Sequence, residues 1–217
     1  MNIIKLKKYP TLYYCPGHLS FAPHVVLNEL GKPFELARLS IKAGDTQRES
    51  FRKLNPKGKV PVLITENEIL TESSAILLYL ALSHPESGLL PPTPVGAARA
   101  IEWLNWLSCM LTGVIALNFH PSRFTDEVES FNGIKARGRL EVIKVFEQIN
   151  HRLAENQWAL KEGYSIVDPV VLIYFRWGTL LELDMNQFSH WAAHTQRMLQ
   201  RPAVQKALAT EEIVIGN

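Results

Sequence analysis

The stretch Asn55-Pro56-Lys57-Gly58-Lys59-Val60-Pro61-Val62-Leu63, with Leu70-Thr71-Glu72-Ser73-Ser74-Ala75-Ile76-Leu77-Leu78-Tyr79-Leu80 close behind it, decides how this chain is read. A strand that opens Val60-Pro61 can offer main-chain N–H and C=O groups to a peptide lying beside it, as an added strand would. An X–Pro bond tolerates the cis form far better than other peptide bonds, and a cis turn here would aim the polar groups of Val60 outward. One hairpin later, Glu72 and Ser73 open a helix. Its free N–H groups and positive dipole end favour a carboxylate there. Together the two segments can grip a small peptide.

Thr11 to Cys15 is short, β-prone and followed by Pro16-Gly17, which reads as a strand and a turn. His18 to Leu30 carries Phe21, Val25, Val26 and Leu30 at helical spacing and stops at Gly31. Phe34 to Leu39 is a second strand; Val60 to Ile64 and Glu68 to Leu70 are two more, around a Glu66-Asn67 turn; Glu72 to Leu82 is a helix. The polar segment Ser40 to Leu54 reads as irregular or weakly helical. The order βαβ then ββα is that of a thioredoxin-like domain, expected over residues 1–83. His84 to Gly96 holds four prolines and two glycines and reads as a linker, 84–96.

Everything beyond the linker, 97–217, reads as an all-helical domain. Ala97 to Asn118 has a 3.6-residue period, and Ile134 to Leu160 shows an apolar stripe of Leu140, Ile143, Phe146, Ile149 and Leu153. Val167 to Leu183 is apolar nearly all round, so it is the expected buried helix. Ser165-Ile166-Val167-Asp168 before it reads as a capping box: Ser165 caps the N–H of Asp168, and the Asp168 carboxylate caps Ser165 in return.

The chain has 217 residues, 47% of them hydrophobic, enough for a sizeable core. A net charge of +2, from 23 basic and 21 acidic side chains, gives no argument for a nucleic acid or an anionic membrane as partner. The two cysteines, Cys15 and Cys109, do not form a disulfide framework. Cys109, mid-helix among apolar residues, reads as a buried structural thiol. Met1 to Lys8 lacks the apolar run of a signal peptide, and no segment is expected to approach the roughly 18 apolar residues of a membrane span. A reducing cytoplasm is the simplest home.

The Asn-Pro-Lys-Gly-Lys-Val-Pro run and Thr-Glu-Ser-Ser-Ala-Ile resemble the glutathione-binding half of the glutathione S-transferase family. Ser-x-x-Asp at 165–168 and Tyr174-Phe175-Arg176-Trp177-Gly178 are similar to its bacterial members. The resemblance covers all but roughly the first ten residues. It implies a thioredoxin-like domain with a helical second domain, detoxifying conjugation of glutathione, no metal, and a homodimer. It implies that Val60 and cis Pro61, beside Lys59, pair with the glutathione backbone. Ser73 would take the γ-glutamyl carboxylate, Glu72 the α-amino group and Lys42 the glycyl carboxylate.

Which residue activates the sulfur is left open between Cys15, Ser20 and Tyr14. A free thiol has a pKa near 8.5, and lowering it to about 6.5 needs ~2.7 kcal/mol of preference for the thiolate. One hydrogen bond to a charged group supplies roughly 1.5–3 kcal/mol. Relative to Pro16, the tyrosine classes of the family use the position of Tyr14, the omega-like classes that of Cys15, and the serine classes that of His18, where a histidine is awkward. The bacterial beta class, which Tyr14, Pro16-Gly17, Ser20 and Ala22-Pro23-His24 otherwise resemble, uses a cysteine where Leu19 stands. That class also has a histidine in its second domain, replaced here near Thr112. Cys15, close to a helix N-terminus, has the setting of a low-pKa thiol and would serve as a nucleophile in glutathione-dependent disulfide exchange. Tyr14 and Ser20 are hydrogen-bond donors suited to conjugation. A small hydrophobic electrophile would lie between the domains, against Trp106, Met110, Phe119 and Phe124, with Arg123 for a carboxylate. The alternatives are a thiol transferase working through Cys15, a glutathione-using isomerase or dehalogenase, and a non-catalytic ligand-binding protein of the same fold.

Overall fold

The computed structural model describes residues 8–216. The reading of Met1 to Lys8 therefore falls, up to Lys7, outside the described residues. Four strands form one mixed sheet in the order β2-β1-β3-β4: β1 Thr11–Tyr14, β2 Glu35–Arg38, β3 Val62–Ile64 and β4 Ile69–Thr71. β1 is parallel to β2, pairing Leu12 with Leu36, and antiparallel to β3, pairing Leu12 with Leu63. The parallel pair is joined by α1, Phe21–Leu30, which ends on Gly31 at φ +62°. A short α2, Glu49–Arg52, follows β2, and α3, Ser73–Ser83, follows β4. Side chains alternate across β1. Leu12 and Tyr14 enter the main core with α1 and α3, while Tyr13 packs against the small cluster of Phe51, Val62 and Ile64 on the other face.

The rest of the described chain is helical: α4 Pro94–Trp106, α5 Thr112–Phe119, α6 Phe131–Arg152, α7 Asp168–Leu180, α8 Ser189–Leu199 and α9 Pro202–Glu211. α4 starts inside the proline-rich stretch because Thr93 caps it, accepting from Gly96 N–H, with Pro94 in its first turn. α7 is the buried helix its composition calls for, with Val170 to Phe175 all inside. α6 ends at Arg152, short of the expected Leu160, and Leu140 of the expected stripe points to solvent while Val142 and Val145 are buried. The capping motif also differs in detail. The Asp168 carboxylate does accept from Ser165 N–H at 2.8 Å, but the Ser165 hydroxyl accepts from Val167 N–H, not Asp168 N–H. Asp168 is fully buried and also takes Ala159 N–H and His194 Nε2, each at 2.8 Å.

Between α4 and α5 the chain makes one π turn, Leu107–Leu111. Thr112 N–H reaches back to the Leu107 carbonyl, which also accepts from the Tyr174 hydroxyl at 3.2 Å. The extra residue shifts the helical phase, and Cys109 emerges on the surface. That corrects the expectation of a buried thiol, since a 3.6 period carries no sign of an inserted residue. A second correction concerns length: Pro94–Phe119 runs 26 residues and is, by length and composition, long and apolar enough to cross a membrane. Ala100, Trp103, Leu104, Leu107, Leu111 and Ile115 bury one flank of this helix in the core, while Ile101 and Met110 on it are exposed.

Candidate active site

The grip is fixed by local chemistry. Asn55 is buried and holds its own turn, donating Nδ2–H to the Lys59 carbonyl at 2.7 Å and accepting from Lys57 N–H at 3.2 Å. Gly58, at φ +63°, closes the turn with its N–H on the Asn55 carbonyl. The Val60–Pro61 peptide that follows is cis. Among the described residues nothing hydrogen-bonds the Val60 main chain. Across the hairpin Glu72 sits at φ +67°, a conformation few non-glycine residues take and one that collects at functional sites. Its carboxylate is met by the ammonium of Lys57, which also reaches the Thr71 hydroxyl at 2.9 Å. Ser73 opens α3 and donates its hydroxyl to the Leu19 carbonyl at 3.3 Å. The structure thus brings together Val60, Pro61, Glu72, Ser73 and the entry to α1. Lys57 is a participant the sequence reading passed over, though its place in the Asn-Pro-Lys-Gly turn could have marked it. Lys42 and Lys59 are exposed; Lys42 follows Ile41, whose backbone lies against the Cys15 thiol.

The loop 15–20 changes the standing of the three sulfur candidates. Ser20 is fully buried, and its hydroxyl is used twice on one residue, accepting from Cys15 N–H at 3.2 Å and donating to the Cys15 carbonyl at 3.1 Å. Cys15 is buried, and burial pushes its thiol up rather than down, outweighing the Ile41 N–H that favours the thiolate. This corrects the expectation of a low-pKa thiol: the helix end is near, but the sulfur faces inward. Tyr14 is buried beside the His24 ring, and burial pushes its hydroxyl up too.

The same loop is clamped from the helical domain. Glu211, at the end of α9 and 1% exposed, accepts Gly17 N–H at 2.9 Å and pairs with His24 Nδ1 at 2.8 Å. The Gly17 carbonyl accepts from Trp177 Nε1 at 2.9 Å and Arg176 Nη1 at 3.4 Å, both from α7. Gly17 has φ +71°, which favours glycine, and a Cβ there would lie 2.6 Å from the Arg176 guanidinium and displace it. Pro16, His18 and Leu19 of this loop are half-buried, Leu19 packing against the main core.

On the opposite wall, Thr112 hydrogen-bonds the Tyr174 hydroxyl at 2.6 Å, and burial drives the Tyr174 pKa far above its ordinary value. Ser108, on the π turn, meets Ser74 of α3 at 3.1 Å. Met110, Phe119, Arg123 and Phe124 are exposed. His120, following α5, lies close enough to His18 to act on its charge, which sets the Phe119–Arg123 segment opposite the loop. Trp106 does not join that wall. It lies in a groove of about 840 Å³ between α4 and α6, with Glu102, Lys144, Gln148 and His151, and the Arg152 guanidinium sits over it at 5.1 Å. Among the described residues no cluster of His, Cys, Asp or Glu could hold a metal ion.

A main-chain residue without a hydrogen bond ahead of β3, the N-terminus of α3 and a glycine-tight loop thus lie together in a thioredoxin-like domain that is followed by a helical one. Residues 10–82 match the family model "Glutathione S-transferase, N-terminal domain". The chain is 33% identical over 203 residues to glutathione S-transferase GstA of Escherichia coli O157:H7, covering 92% of this chain and 98% of that protein. A sphingomonad glutathione S-transferase complexed with glutathione superposes with a TM-score of 0.83 at 30% identity, covering 94% of this chain and all of that one. A glutathione transferase homologue from Sulfitobacter with bound glutathione gives a TM-score of 0.90 at 24% identity, covering 95% and 100%, a likeness of fold. The chain belongs to the glutathione S-transferase family.

Proposed function

We propose that this protein is a glutathione transferase that binds the tripeptide along the Val60 main chain and the start of α3, and directs its sulfur at a small hydrophobic electrophile. The observation that carries this reading is the convergence of three features on one groove. They are an unoccupied Val60 backbone, Glu72 held at φ +67° beside the N-terminus of α3, and the Ser73 hydroxyl against the α1 entry loop. In this reading Ser73 and the α3 N–H groups take the γ-glutamyl carboxylate, Glu72 takes the α-amino group, and Lys42 the glycyl carboxylate, with Lys59 adding positive charge. The electrophile lies against Met110, Phe119 and Phe124, with Arg123 beside it. Conjugation is favoured over disulfide exchange because Cys15, the one cysteine in the loop, is buried and protonated at neutral pH. In this reading a second copy covers the exposed Tyr79 and Leu82 of α3 and Ile101 of α4, and the protein works as a homodimer in a reducing cytoplasm.

The test is calorimetry with glutathione, run beside a conjugation assay on a chlorinated nitrobenzene. Uptake at sub-millimolar concentration with measurable conjugation supports the reading. No uptake at 10 mM, a concentration roughly tenfold above millimolar affinity, overturns it.

A further inference from the structure

Glutathione bound in the groove needs a donor for its sulfur, and the loop 15–20 has spent almost all of its polar groups. The Ser20 hydroxyl is closed on the Cys15 backbone. The His18 N–H goes to the Cys15 carbonyl at 3.2 Å, and the His18 carbonyl accepts from Phe21 N–H at 2.9 Å. Gly17 is held on both sides by α7 and α9. Leu19 gives its carbonyl to Ser73 and has no polar side-chain atom. Among the loop's side chains the His18 imidazole is the donor that remains: half-buried, next in sequence to Leu19, whose carbonyl meets Ser73, and with no side-chain hydrogen bond among the described residues.

The groups facing it come from several elements. Arg176 of α7, which reaches the Gly17 carbonyl, and His120, just after α5, both act on its charge; Arg123 acts on that of His120, and the Glu211 carboxylate is engaged by Gly17 and His24. Burial and the charge of Arg176 hold His18 below the ordinary histidine range, so at neutral pH it is a neutral imidazole with one N–H to donate.

Resting on the reading of the groove as a glutathione site, we infer that His18 is the catalytic residue at the sulfur: its ring N–H donates to the glutathione thiolate, in the positive field of Arg176. The step balances simply. The S–H proton leaves to water, the thiolate attacks the electrophilic carbon, a C–S bond forms, and the halide or other leaving group departs with its electron pair. His18 neither gains nor loses a proton in the cycle. Its neighbour in sequence, Leu19, meets Ser73 through its carbonyl, and His120, just after α5, lies near enough to act on its charge.

The measurement is the pKa of enzyme-bound glutathione, followed by thiolate absorbance during a pH titration, with kcat and KM for glutathione on the same samples. One hydrogen bond to a charged acceptor corresponds to roughly 1–2 pKa units. His18→Ala should therefore raise the bound thiol pKa by about that much and lower kcat about 10- to 100-fold at pH 6.5. KM should change little, and the deficit should shrink toward pH 9. His18→Gln, which keeps an N–H donor, should recover part of both, and His18→Phe neither. Cys15→Ala and Tyr14→Phe should leave the thiol pKa in place. If His18→Ala binds glutathione with an unchanged thiol pKa and unchanged kcat, the role assigned to His18 is wrong while the glutathione reading stands. If the wild-type protein takes up no glutathione, the reading of the groove fails first.

Discussion

The two walls of the groove are built by opposite means. On the grip side, cis Pro61, the Asn55 turn, Glu72 and Ser73 all belong to one run of about twenty residues, and the binding groups are mostly main chain. On the sulfur side, the loop 15–20 is shaped from far away: Glu211 reaches Gly17 across 194 positions of sequence and Trp177 across 160. A locally encoded wall can lose one side chain without losing its shape. A wall held by distant helices moves when a clamp is removed. Removing groups from each wall should therefore separate ligand affinity from folding stability.

The largest effect belongs to the clamp. Glu211→Ala leaves two buried donors, Gly17 N–H and His24, without their acceptor. Each buried unsatisfied group costs roughly 1–3 kcal/mol, so a loss of about 3 kcal/mol in urea unfolding is expected, with a fall in activity below the midpoint. Glu211→Gln, which can still accept from Gly17, should recover at least half of it. An Ala variant as stable as wild type would mean that the loop holds its own shape.

The converse is expected on the grip side. Ser73→Ala and Glu72→Gln should each weaken glutathione roughly tenfold or more, the value of one hydrogen bond to a charged group. Both are at least partly exposed, and neither anchors the core, so the melting temperature should stay within about 2 °C, a shift corresponding to roughly 0.5–1 kcal/mol or less for a chain of this size. Loss of stability without loss of affinity would reverse the comparison.

This contrast also explains what could be read in advance. The sheet, α1 and α3 follow from alternation, Gly31 and the proline run, all local signals, and the grip residues lie inside one recognisable spacing. Cys15 and Ser20 looked available because position relative to Pro16 gives proximity to a helix end, not direction. Whether a side chain faces the groove or the core was set by Ser20 folding back on the Cys15 backbone. Cys109 was misplaced for a related reason. A π turn adds a residue without altering composition, so the apolar period of 97–118 gave no warning of the phase change at Leu107–Leu111. Glu211, Trp177 and Arg176 lie in ordinary helical sequence, and only the tertiary fold brings them to Gly17.

Acid should separate the walls further. His18 and His120, on the sulfur side, are both held below the ordinary histidine value by burial, with Arg176 adding to the effect at His18 and Arg123 at His120. The unfolded chain therefore binds protons more readily than the folded one as pH falls below about 6.5. The stability these groups contribute as neutral rings is complete above that value and is lost as pH drops toward their folded pKa. Between pH 7 and 5 the unfolding midpoint should decline, and the decline should be smaller in His18→Gln/His120→Gln. Equal slopes would place the acid sensitivity elsewhere.

The smallest effect tests whether the grip is pre-shaped at all. Lys57 pairs with Glu72 and touches Thr71, bridging the Asn55 turn to the start of α3, but both charged groups are solvent-exposed. An exposed pair is worth about 0–1 kcal/mol and weakens with salt. If Lys57 orients the Glu72 carboxylate toward the ligand amine, Lys57→Met should weaken glutathione by no more than about fivefold, and the difference should fade between 20 mM and 500 mM salt. If Lys57 instead competes with the amine for the carboxylate, the same variant should bind more tightly, again most visibly at low salt. The sign of this change decides whether the short turn that made the fold legible also tunes the site or only supports it.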